Sequence, residues 1–236
     1  MSEPLEAVEY ADGAKPLTGW LARPAQQPRA AILVFPTIAN CNPAIERRAR
    51  MLAEAGYLAL VADFYGEPVA DFHHAQELGR ALRGNVARYR ARLVAALSAL
   101  RRQEAAAGLP LAAIGYCMGG GAALELARTG ADIVAAVSFH GLLETQRKAH
   151  PDEVRARLLV CHGHRDPLVP RGELAKFEDE MDVARAHYHV HIYSHARHGF
   201  TDPASDTRGM DALAYDPSAD RQSWAAMLSL FDEVFG

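Results

Sequence analysis

The residue with the clearest chemical potential is Cys117, which lies in the segment Gly115-Tyr116-Cys117-Met118-Gly119. An apolar run typical of a strand precedes this segment and a run typical of a helix follows it. This is the pattern of a nucleophile elbow with cysteine in place of serine. Flanking glycines fit, because larger side chains would collide with the backbone of such a tight turn. A helix starting here favours a thiolate and directs the Met118 amide toward a developing oxyanion. The other interpretation is a buried structural cysteine at an ordinary strand-to-helix junction.

Two partners for this nucleophile follow it in the chain. Asp166 comes shortly after an apolar run at residues 158–161, and His198 follows the run at 188–193. Nucleophile, acid and histidine in this order are those of an α/β-hydrolase, in which the acid orients the histidine. His195 competes for the role of base, but the His198-Gly199-Phe200 segment fits better. Taken singly, Asp166 is also a turn-former before proline, and His198 a loop histidine.

The elements that must position these residues alternate between strand and helix. Short apolar runs predict buried parallel strands, and two opening segments around a glycine turn predict an antiparallel hairpin. The predicted class is α/β, a three-layer sandwich with a mostly parallel sheet and an antiparallel N-terminal hairpin. Ligands of such sheets bind beyond the carboxyl ends of the strands. Strands are expected at 5–9, 17–22, 31–35, 58–62, 111–114, 133–139, 158–161 and 188–193, and helices at 45–55, 75–107, 119–128, 172–184 and 220–235.

Length and composition restrict the class of protein. The 236 residues are 50% hydrophobic, which predicts one domain over residues 1–236 with a sizeable core. A net charge of -4 without a basic block argues against nucleic acid as a partner. No apolar run is long enough to span a bilayer and the acidic start does not look like a signal peptide, so we expect a cytoplasmic protein without a membrane partner. The three cysteines are expected to be reduced thiols.

Several motifs together resemble the dienelactone hydrolase (carboxymethylenebutenolidase) family. They are Gly115-Tyr116-Cys117-Met118-Gly119-Gly120, Glu46-Arg47-Arg48-Ala49-Arg50-Met51-Leu52-Ala53, Ala62-Asp63-Phe64-Tyr65-Gly66, Val137-Ser138-Phe139-His140-Gly141 and His198-Gly199-Phe200-Thr201-Asp202-Pro203. The resemblance implies an α/β-hydrolase fold with Cys117, Asp166 and His198 as catalytic residues. It also implies an oxyanion hole from the Met118 and Ile38 amides. The implied reaction is hydrolysis of a small lactone or ester through a thioester, without metal or organic cofactor.

The chain departs from the family pattern at two places. Thr37 stands where family members carry a glutamate that helps to generate the thiolate, and a threonine hydroxyl is not basic near neutral pH. Either His198 takes the thiol proton directly, which we favour, or Glu46 or Glu67 approaches the site. Thr201-Asp202 stands where the family places an arginine that clamps a substrate carboxylate, so an anionic dienelactone is not assigned as substrate.

The remaining candidates have weaker signals. Thr37, Cys41, His140 and Phe200 are predicted to line the substrate pocket, whereas Cys161 is expected in the core. His187, His189 and His191 alternate on one strand and are interpreted as an exposed polar face, since three ligands on one strand do not converge on a metal.

Two classes of function remain open at this point. The first is a cysteine-dependent hydrolase, with a dedicated lactone or broad ester specificity. The second is a non-catalytic or thiol-sensing ligand binder, which Thr37 keeps open. In either case the expected partner is a small molecule, and the chain is expected to be a monomer or small homo-oligomer.

Overall fold

The computed structural model describes residues 4–236, which divide into two compact units, one ending at Ala113 and the other running from Ile114 to Gly236. The single domain expected over residues 1–236 stays a prediction. Residues 4–236 contain eight strands and six α-helices. The strands are β1 (Glu6–Asp12), β2 (Lys15–Ala22), β3 (Ala31–Phe35), β4 (Leu58–Val61), β5 (Leu111–Tyr116), β6 (Ala135–Phe139), β7 (Arg157–Gly163) and β8 (Tyr188–Tyr193). The helices are α1 (Pro43–Glu54), α2 (Phe72–Arg83), α3 (Val86–Arg101), α4 (Met118–Ala127), α5 (Arg171–Val183) and α6 (Pro217–Phe235).

The first unit opens with the predicted antiparallel hairpin. β1 pairs with β2 around a turn in which Gly13 takes a φ of +59°, and β2 pairs antiparallel with β4. β3 and β4 are parallel, and every residue of both is buried, which explains their uninterrupted apolar sequences. The loop after β3 therefore leaves from the carboxyl end of a core strand, where the sequence places Thr37 and Ile38.

The helix expected over residues 75–107 is wrong in its extent. The structure has two helices there, α2 and α3, and a short 3₁₀ helix at Glu104–Ala106. The break lies at Gly84 and Asn85, because Gly84 ends α2 and the Asn85 side chain caps α3 by accepting the Arg88 N–H at 3.0 Å. The periodicity was helical on both sides, but these two residues interrupt it.

The second unit carries the carboxyl ends of four strands. The last three residues of β5 open this unit, and β6, β7 and β8 follow in parallel register, with Phe139 opposite Cys161 and Gly163 opposite Tyr193. α4 packs on β6, and α6 packs on β6 and β7. The residues that follow these strand ends are Cys117, His140, Asp166 and His198.

Element boundaries in this unit shift by a few residues from those expected. β6 begins at Ala135, two residues late, and α6 begins at Pro217 because the Asp216 carboxylate caps the amides of Ser218 and Ala219. The class itself is confirmed, an α/β fold with a mostly parallel sheet and an antiparallel N-terminal hairpin. Within residues 4–236, no helix combines the length and apolar character that crossing a membrane requires.

Candidate active site

Cys117 occupies the tight turn between β5 and α4. Its φ of 56° and ψ of -121° form a strained conformation that residues other than glycine rarely adopt. The turn brings the two flanking segments so close that a Cβ at Gly115 would lie 1.9 Å from the Gly119 carbonyl oxygen. Glycine at position 115 is therefore a steric requirement, and the predicted elbow geometry is present. The Cys117 side chain remains partly exposed at the start of α4.

The elbow is attached to the end of the neighbouring strand β6. The Cys117 amide donates to the Phe139 carbonyl oxygen at 3.1 Å and approaches His140 Nδ1 at 3.2 Å. His140 itself has a φ of 40° and is buried, with only 2% of its surface exposed. The nucleophile position is thus fixed by backbone and side-chain contacts from β6.

Asp166 and His198 form a buried pair beyond the ends of β7 and β8. His198 Nδ1 donates to Asp166 Oδ2 at 2.8 Å, and Asp166 Oδ1 accepts the Leu168 amide at 2.8 Å. Because Nδ1 carries the proton toward the carboxylate, Nε2 is the atom of His198 left to exchange a proton. His195 is exposed, so of the two histidines it is His198 that the structure brings to the acid.

The free nitrogen of His198 interacts with the nucleophile. Among residues 4–236, Nε2 is buried and has no hydrogen-bond partner of good geometry, so its link to the sulfur is electrostatic. Burial lowers the pKa of His198, but the charge of Cys117, the hydrogen bonds from Asp166 and Cys117 and the charge of Asp166 outweigh it, and the pKa is raised to about 10. The sulfur and the ring therefore behave as a coupled pair, in which a negative sulfur favours a protonated ring.

The loop after β8 encloses His198 from the other side. The His198 amide donates to the Ala212 carbonyl oxygen at 3.1 Å, and the Ala214 amide donates to the His198 carbonyl oxygen at 3.2 Å. Phe200 is fully buried and stacks edge-on against His140, with ring centroids 5.1 Å apart. Both His140 and Phe200 pack beneath the site as covered rings, and their predicted contact with substrate stays a prediction.

The residues that replace the family's arginine clamp are engaged with their own loop. The Thr201 hydroxyl contacts His140 Nε2 at 2.9 Å. The Asp202 carboxylate accepts the Ala204 amide at 2.9 Å and forms an ion pair with Arg208. Asp202, which is 8% exposed, thus lies four residues after His198, in the place where the family pattern has an arginine.

In the first unit, Thr37 and Ile38 lie in a loop braced by a buried carboxylate. Asp63 accepts hydrogen bonds from the amides of Thr18, Tyr65 and Gly66 and from Asn40 Nδ2, at 2.8 to 3.0 Å. The Tyr65 hydroxyl donates to the Ile38 carbonyl oxygen at 2.9 Å. In the sequence, Asp63 and Tyr65 stand out only as part of the Ala62-Asp63-Phe64-Tyr65-Gly66 motif. Their role in shaping this loop has no local signal beyond that motif.

The side chain of Thr37 serves this loop as an acceptor. Its hydroxyl accepts the Ala39 amide at 3.3 Å and Asn42 Nδ2 at 3.1 Å. The two glutamates considered as replacement bases are paired with cations, Glu67 with Lys15 at 3.1 Å and Glu46 with Arg50 at 3.6 Å.

The two other thiols differ from Cys117 in their electrostatics. Burial raises the pKa of Cys41 to about 12, with a further contribution from the Glu46 charge. Burial likewise raises the pKa of Cys161 to about 12, and this residue is fully buried in β7 as expected for a core position. Both therefore stay protonated near neutral pH.

His187, His189 and His191 are all exposed, in agreement with their interpretation as a polar strand face. In the part of the chain that the structure describes, no group of three or more histidine, cysteine, aspartate or glutamate residues has the geometry to hold a metal ion.

Comparison with known proteins shows that the chain is similar to hydrolases. The sequence profile described as "Dienelactone hydrolase family" matches residues 17–235. A Bradyrhizobium protein named "Probable 2-oxo-3-(5-oxofuran-2-ylidene)propanoate lactonase" is 32% identical over 217 residues, which cover 87% of this chain and 84% of that protein.

Two solved structures are similar over almost the entire chain. One, named m3DLH, has a TM-score of 0.91 and 39% identity, and the alignment covers 98% of both chains. The other is described as a dienelactone hydrolase-like promiscuous phosphotriesterase, P91, from metagenomic libraries. It has a TM-score of 0.90 and 38% identity, again with 98% of both chains covered. These similarities confirm the predicted α/β-hydrolase fold.

Proposed function

Because this chain belongs to the dienelactone hydrolase family and is a hydrolase of ester or lactone bonds, we propose that it uses Cys117 as nucleophile and passes through a thioester. The observation that carries the proposal is a cysteine on a strained elbow together with a buried His198 whose Nδ1 is held by Asp166; the charge of Cys117 also raises the pKa of His198. These are the parts that nucleophilic acyl transfer requires.

In the proposed acylation, the Cys117 thiolate attacks the carbonyl carbon of the substrate. The carbon–sulfur bond forms while the carbonyl electron pair moves to oxygen, and the Met118 and Ile38 amides stabilise that oxyanion. When the carbonyl re-forms, the carbon–oxygen bond to the leaving group breaks. His198 Nε2 gives its proton to the departing alkoxide, which leaves a thioester on Cys117 and a neutral imidazole.

In the proposed deacylation, the neutral His198 accepts a proton from water through Nε2. The resulting hydroxide attacks the thioester carbon, the same amides stabilise the second oxyanion, and the carbon–sulfur bond breaks. Carboxylic acid and thiolate are the products, and the His198 proton restores the starting pair. Asp166 holds the ring orientation through both steps, because its Oδ2 keeps the Nδ1 proton.

Direct activation by His198 accounts for the threonine at position 37. The attraction that raises the pKa of His198 is mutual, so a protonated ring stabilises the thiolate by the same interaction. No glutamate is then needed at position 37. The ion pairs of Glu46 and Glu67 within their own unit support this choice over a distant carboxylate.

The competing proposal is a ligand binder that retains the fold and uses Cys117 as a sensor. Both proposals require a reactive thiolate, so thiol reactivity alone does not separate them. Turnover does, because a sensor binds or is modified without releasing product. The pairing of His198 with Asp166 favours the enzyme, since a sensor has no need for an oriented proton carrier.

We expect an uncharged substrate, such as an aryl ester or a simple lactone, to be preferred over a carboxylated lactone. Thr201 and Asp202 stand where family members clamp a carboxylate with arginine, and the Asp202 carboxylate is itself paired with Arg208, so neither of these two residues attracts an anionic substrate. A phosphotriester belongs in the same substrate panel, because a relative with 38% identity is described as a promiscuous phosphotriesterase.

The test is hydrolysis of p-nitrophenyl acetate by the wild type and by Cys117→Ala and His198→Ala variants, with folding checked by circular dichroism. We expect each variant to lose about 10³-fold or more in kcat/KM. His189→Ala, which removes an exposed histidine of β8, serves as the matched control and should retain activity. Mass spectrometry of a rapidly quenched wild-type reaction should detect one acetyl group on the peptide containing Cys117.

Two results would contradict the proposal. Undiminished turnover in folded Cys117→Ala would exclude the thioester route. Absence of turnover on every ester, lactone and phosphotriester tested, with Cys117 still readily alkylated, would favour the sensor.

A further inference from the structure

His140 is a buried residue in the centre of the site that the proposed mechanism does not use. It follows β6 directly, has a φ of 40° and is 2% exposed. Such a conformation costs free energy for a residue with a side chain, so its neighbours must hold it in place. The His140 amide donates to the Cys161 carbonyl oxygen at 2.9 Å, which ties the residue to β7.

The hydrogen bonds of the ring fix the position of its proton. The Cys117 amide shares its hydrogen between the Phe139 carbonyl oxygen at 3.1 Å and His140 Nδ1 at 3.2 Å, and a backbone N–H can only donate, so Nδ1 must be an unprotonated acceptor. Nε2 then carries the proton and donates to the Thr201 hydroxyl oxygen at 2.9 Å. A proton on both nitrogens would set an N–H against the amide of Cys117, so this arrangement requires a neutral ring.

The same ring lies against the proposed base. The His140 and His198 ring centroids are 5.1 Å apart, with planes at 68°. A charged His140 would therefore repel a protonated His198, whereas a neutral ring does not. Cys117 and Asp166 favour the protonated form of His198, whereas a protonated His162 would oppose it, since burial and the charge of His198 are among the causes that lower the His162 pKa.

We propose that His140 is a positioning residue, a neutral imidazole that joins the Cys117 elbow to the loop carrying His198. Through Nδ1 it holds the amide of the nucleophile, and through Nε2–H and Thr201 it holds the segment that follows the base. The role of this bridge in catalysis rests on the function proposed above. The tautomer of His140 and its effect on the alignment of the Cys117 thiol with His198 are independent of that proposed function.

No other common side chain supplies both contacts. Asparagine places an amide oxygen near the position of Nδ1 but does not extend to Thr201. Phenylalanine fills the space beside Phe200 and His198 but offers no acceptor to the amide. Thr201→Val removes only the far end of the bridge. These three substitutions therefore dissect it.

The first test is the ¹⁵N NMR spectrum of the wild-type histidine side chains at pH 7. His140 should show the shifts of a neutral ring protonated at Nε2, assigned by their loss in His140→Asn. A ring protonated at Nδ1, or at both nitrogens, would overturn the proposal. This experiment uses no substrate, and the variant serves only to assign the wild-type signals.

The second test is the rate of Cys117 alkylation by iodoacetamide as a function of pH, together with kcat and KM for p-nitrophenyl acetate. We expect His140→Phe to lower kcat and the alkylation rate at pH 7 by about tenfold or more, with KM within about twofold, because the nucleophile loses its alignment. His140→Asn should lose less than His140→Phe, and Thr201→Val should show a partial loss of the same kind. His189→Asn, on the exposed face of β8, should behave as the wild type.

These outcomes separate a positioning role from a purely structural one. If His140→Phe folds and its alkylation profile matches the wild type, the bridge has no role in aligning the thiol. If it does not fold, His140→Asn and Thr201→Val decide, and wild-type alkylation profiles in both contradict the proposal. Should the wild type lack esterase activity, the proposed function fails while the tautomer and the alkylation profiles still test the bridge.

Discussion

The charge on His198 is set by its neighbours more than by its burial. Burial disfavours the imidazolium, yet the charge and hydrogen bond of Cys117 and the pair with Asp166 raise the pKa to about 10. A histidine with its ordinary pKa near 6.5 would be mostly neutral at pH 7.5. In this site the ring should instead enter the reaction charged, as a proton donor to the leaving group.

The dependence of His198 on the sulfur can be tested by exchanging sulfur for oxygen. In Cys117→Ser the hydroxyl carries no charge near neutral pH, so the largest contribution that raises the His198 pKa is lost. We expect NMR titration of the His198 ring to give a midpoint near 10 in the wild type and a lower one in the variant. Cys41→Ser is the control and should leave the midpoint unchanged. Equal midpoints in wild type and Cys117→Ser would contradict a coupled thiolate and imidazolium.

The three thiols should differ sharply in reactivity. Burial raises the pKa of Cys41 and of Cys161 to about 12, so both remain thiols at pH 7, whereas Cys117 faces a protonated ring. One equivalent of iodoacetamide at pH 7 should therefore label Cys117 almost exclusively, measured by peptide mass spectrometry. Labelling of Cys41 at a similar rate would show that the environment of Cys117 confers no special reactivity.

The sequence predicted the residues of the candidate site unequally. Cys117, Asp166 and His198 could be picked out because each follows a predicted strand, and the order of the three is characteristic. The bridge through His140 and Thr201 could not, because it depends on a positive φ at His140 and on which ring nitrogen faces an amide. Neither quantity has a pattern in the sequence.

At the scale of elements, the elbow is defined by how closely a strand end and a helix start approach each other. A Cβ at Gly115 would meet the Gly119 carbonyl oxygen at 1.9 Å and its carbon at 2.2 Å, both backbone atoms that cannot move independently. A side chain at position 115 would therefore force the end of β5 and the start of α4 apart or change the conformation of the turn between them. Since Cys117 depends on that turn for its φ of 56°, stability and activity are linked here.

Gly115→Ala should therefore destabilise the protein by more than about 3 kcal/mol and abolish esterase activity, because the clash involves only backbone atoms. Gly172→Ala is the matched control. Gly172 lies in α5 with an open surrounding and no positive φ, and alanine there should be neutral or stabilising by about 0.5–1 kcal/mol. Urea unfolding of both variants gives the comparison. A Gly115→Ala variant as stable as the control would contradict the tight approach.

The strands and helices were predicted best where a continuous run of apolar residues indicates a strand buried on both faces. β3 and β4 are buried along their full length and are uninterrupted apolar runs, and β6 is equally buried with Ser138 as its one polar residue. The α2–α3 region was predicted less well, because Gly84 and Asn85 end one helix and cap the next inside a continuous helical periodicity. The brace of Asp63 on the Thr37 loop lay beyond prediction, since it joins residues far apart in the chain.

At the scale of the whole molecule, we predict that residues 1–236 unfold as one cooperative unit. Residue contacts divide the chain between Ala113 and Ile114, yet this division falls inside strand β5, which runs from Leu111 to Tyr116. A boundary between independent domains normally lies in an exposed linker. A boundary within a fully buried strand favours a single cooperative unit, as the length and composition also predict.

The two tryptophans allow this prediction to be tested, because Trp20 lies in β2 of the first unit and Trp224 in α6 of the second. In Trp224→Phe and Trp20→Phe, fluorescence reports the unfolding of one unit at a time. If the two units unfold together because they share strand β5, the fluorescence midpoint of each variant in urea should equal the circular dichroism midpoint of the same variant. A fluorescence transition that precedes the circular dichroism transition in either variant would contradict this prediction. It would show that the unit containing the remaining tryptophan unfolds independently of the other unit.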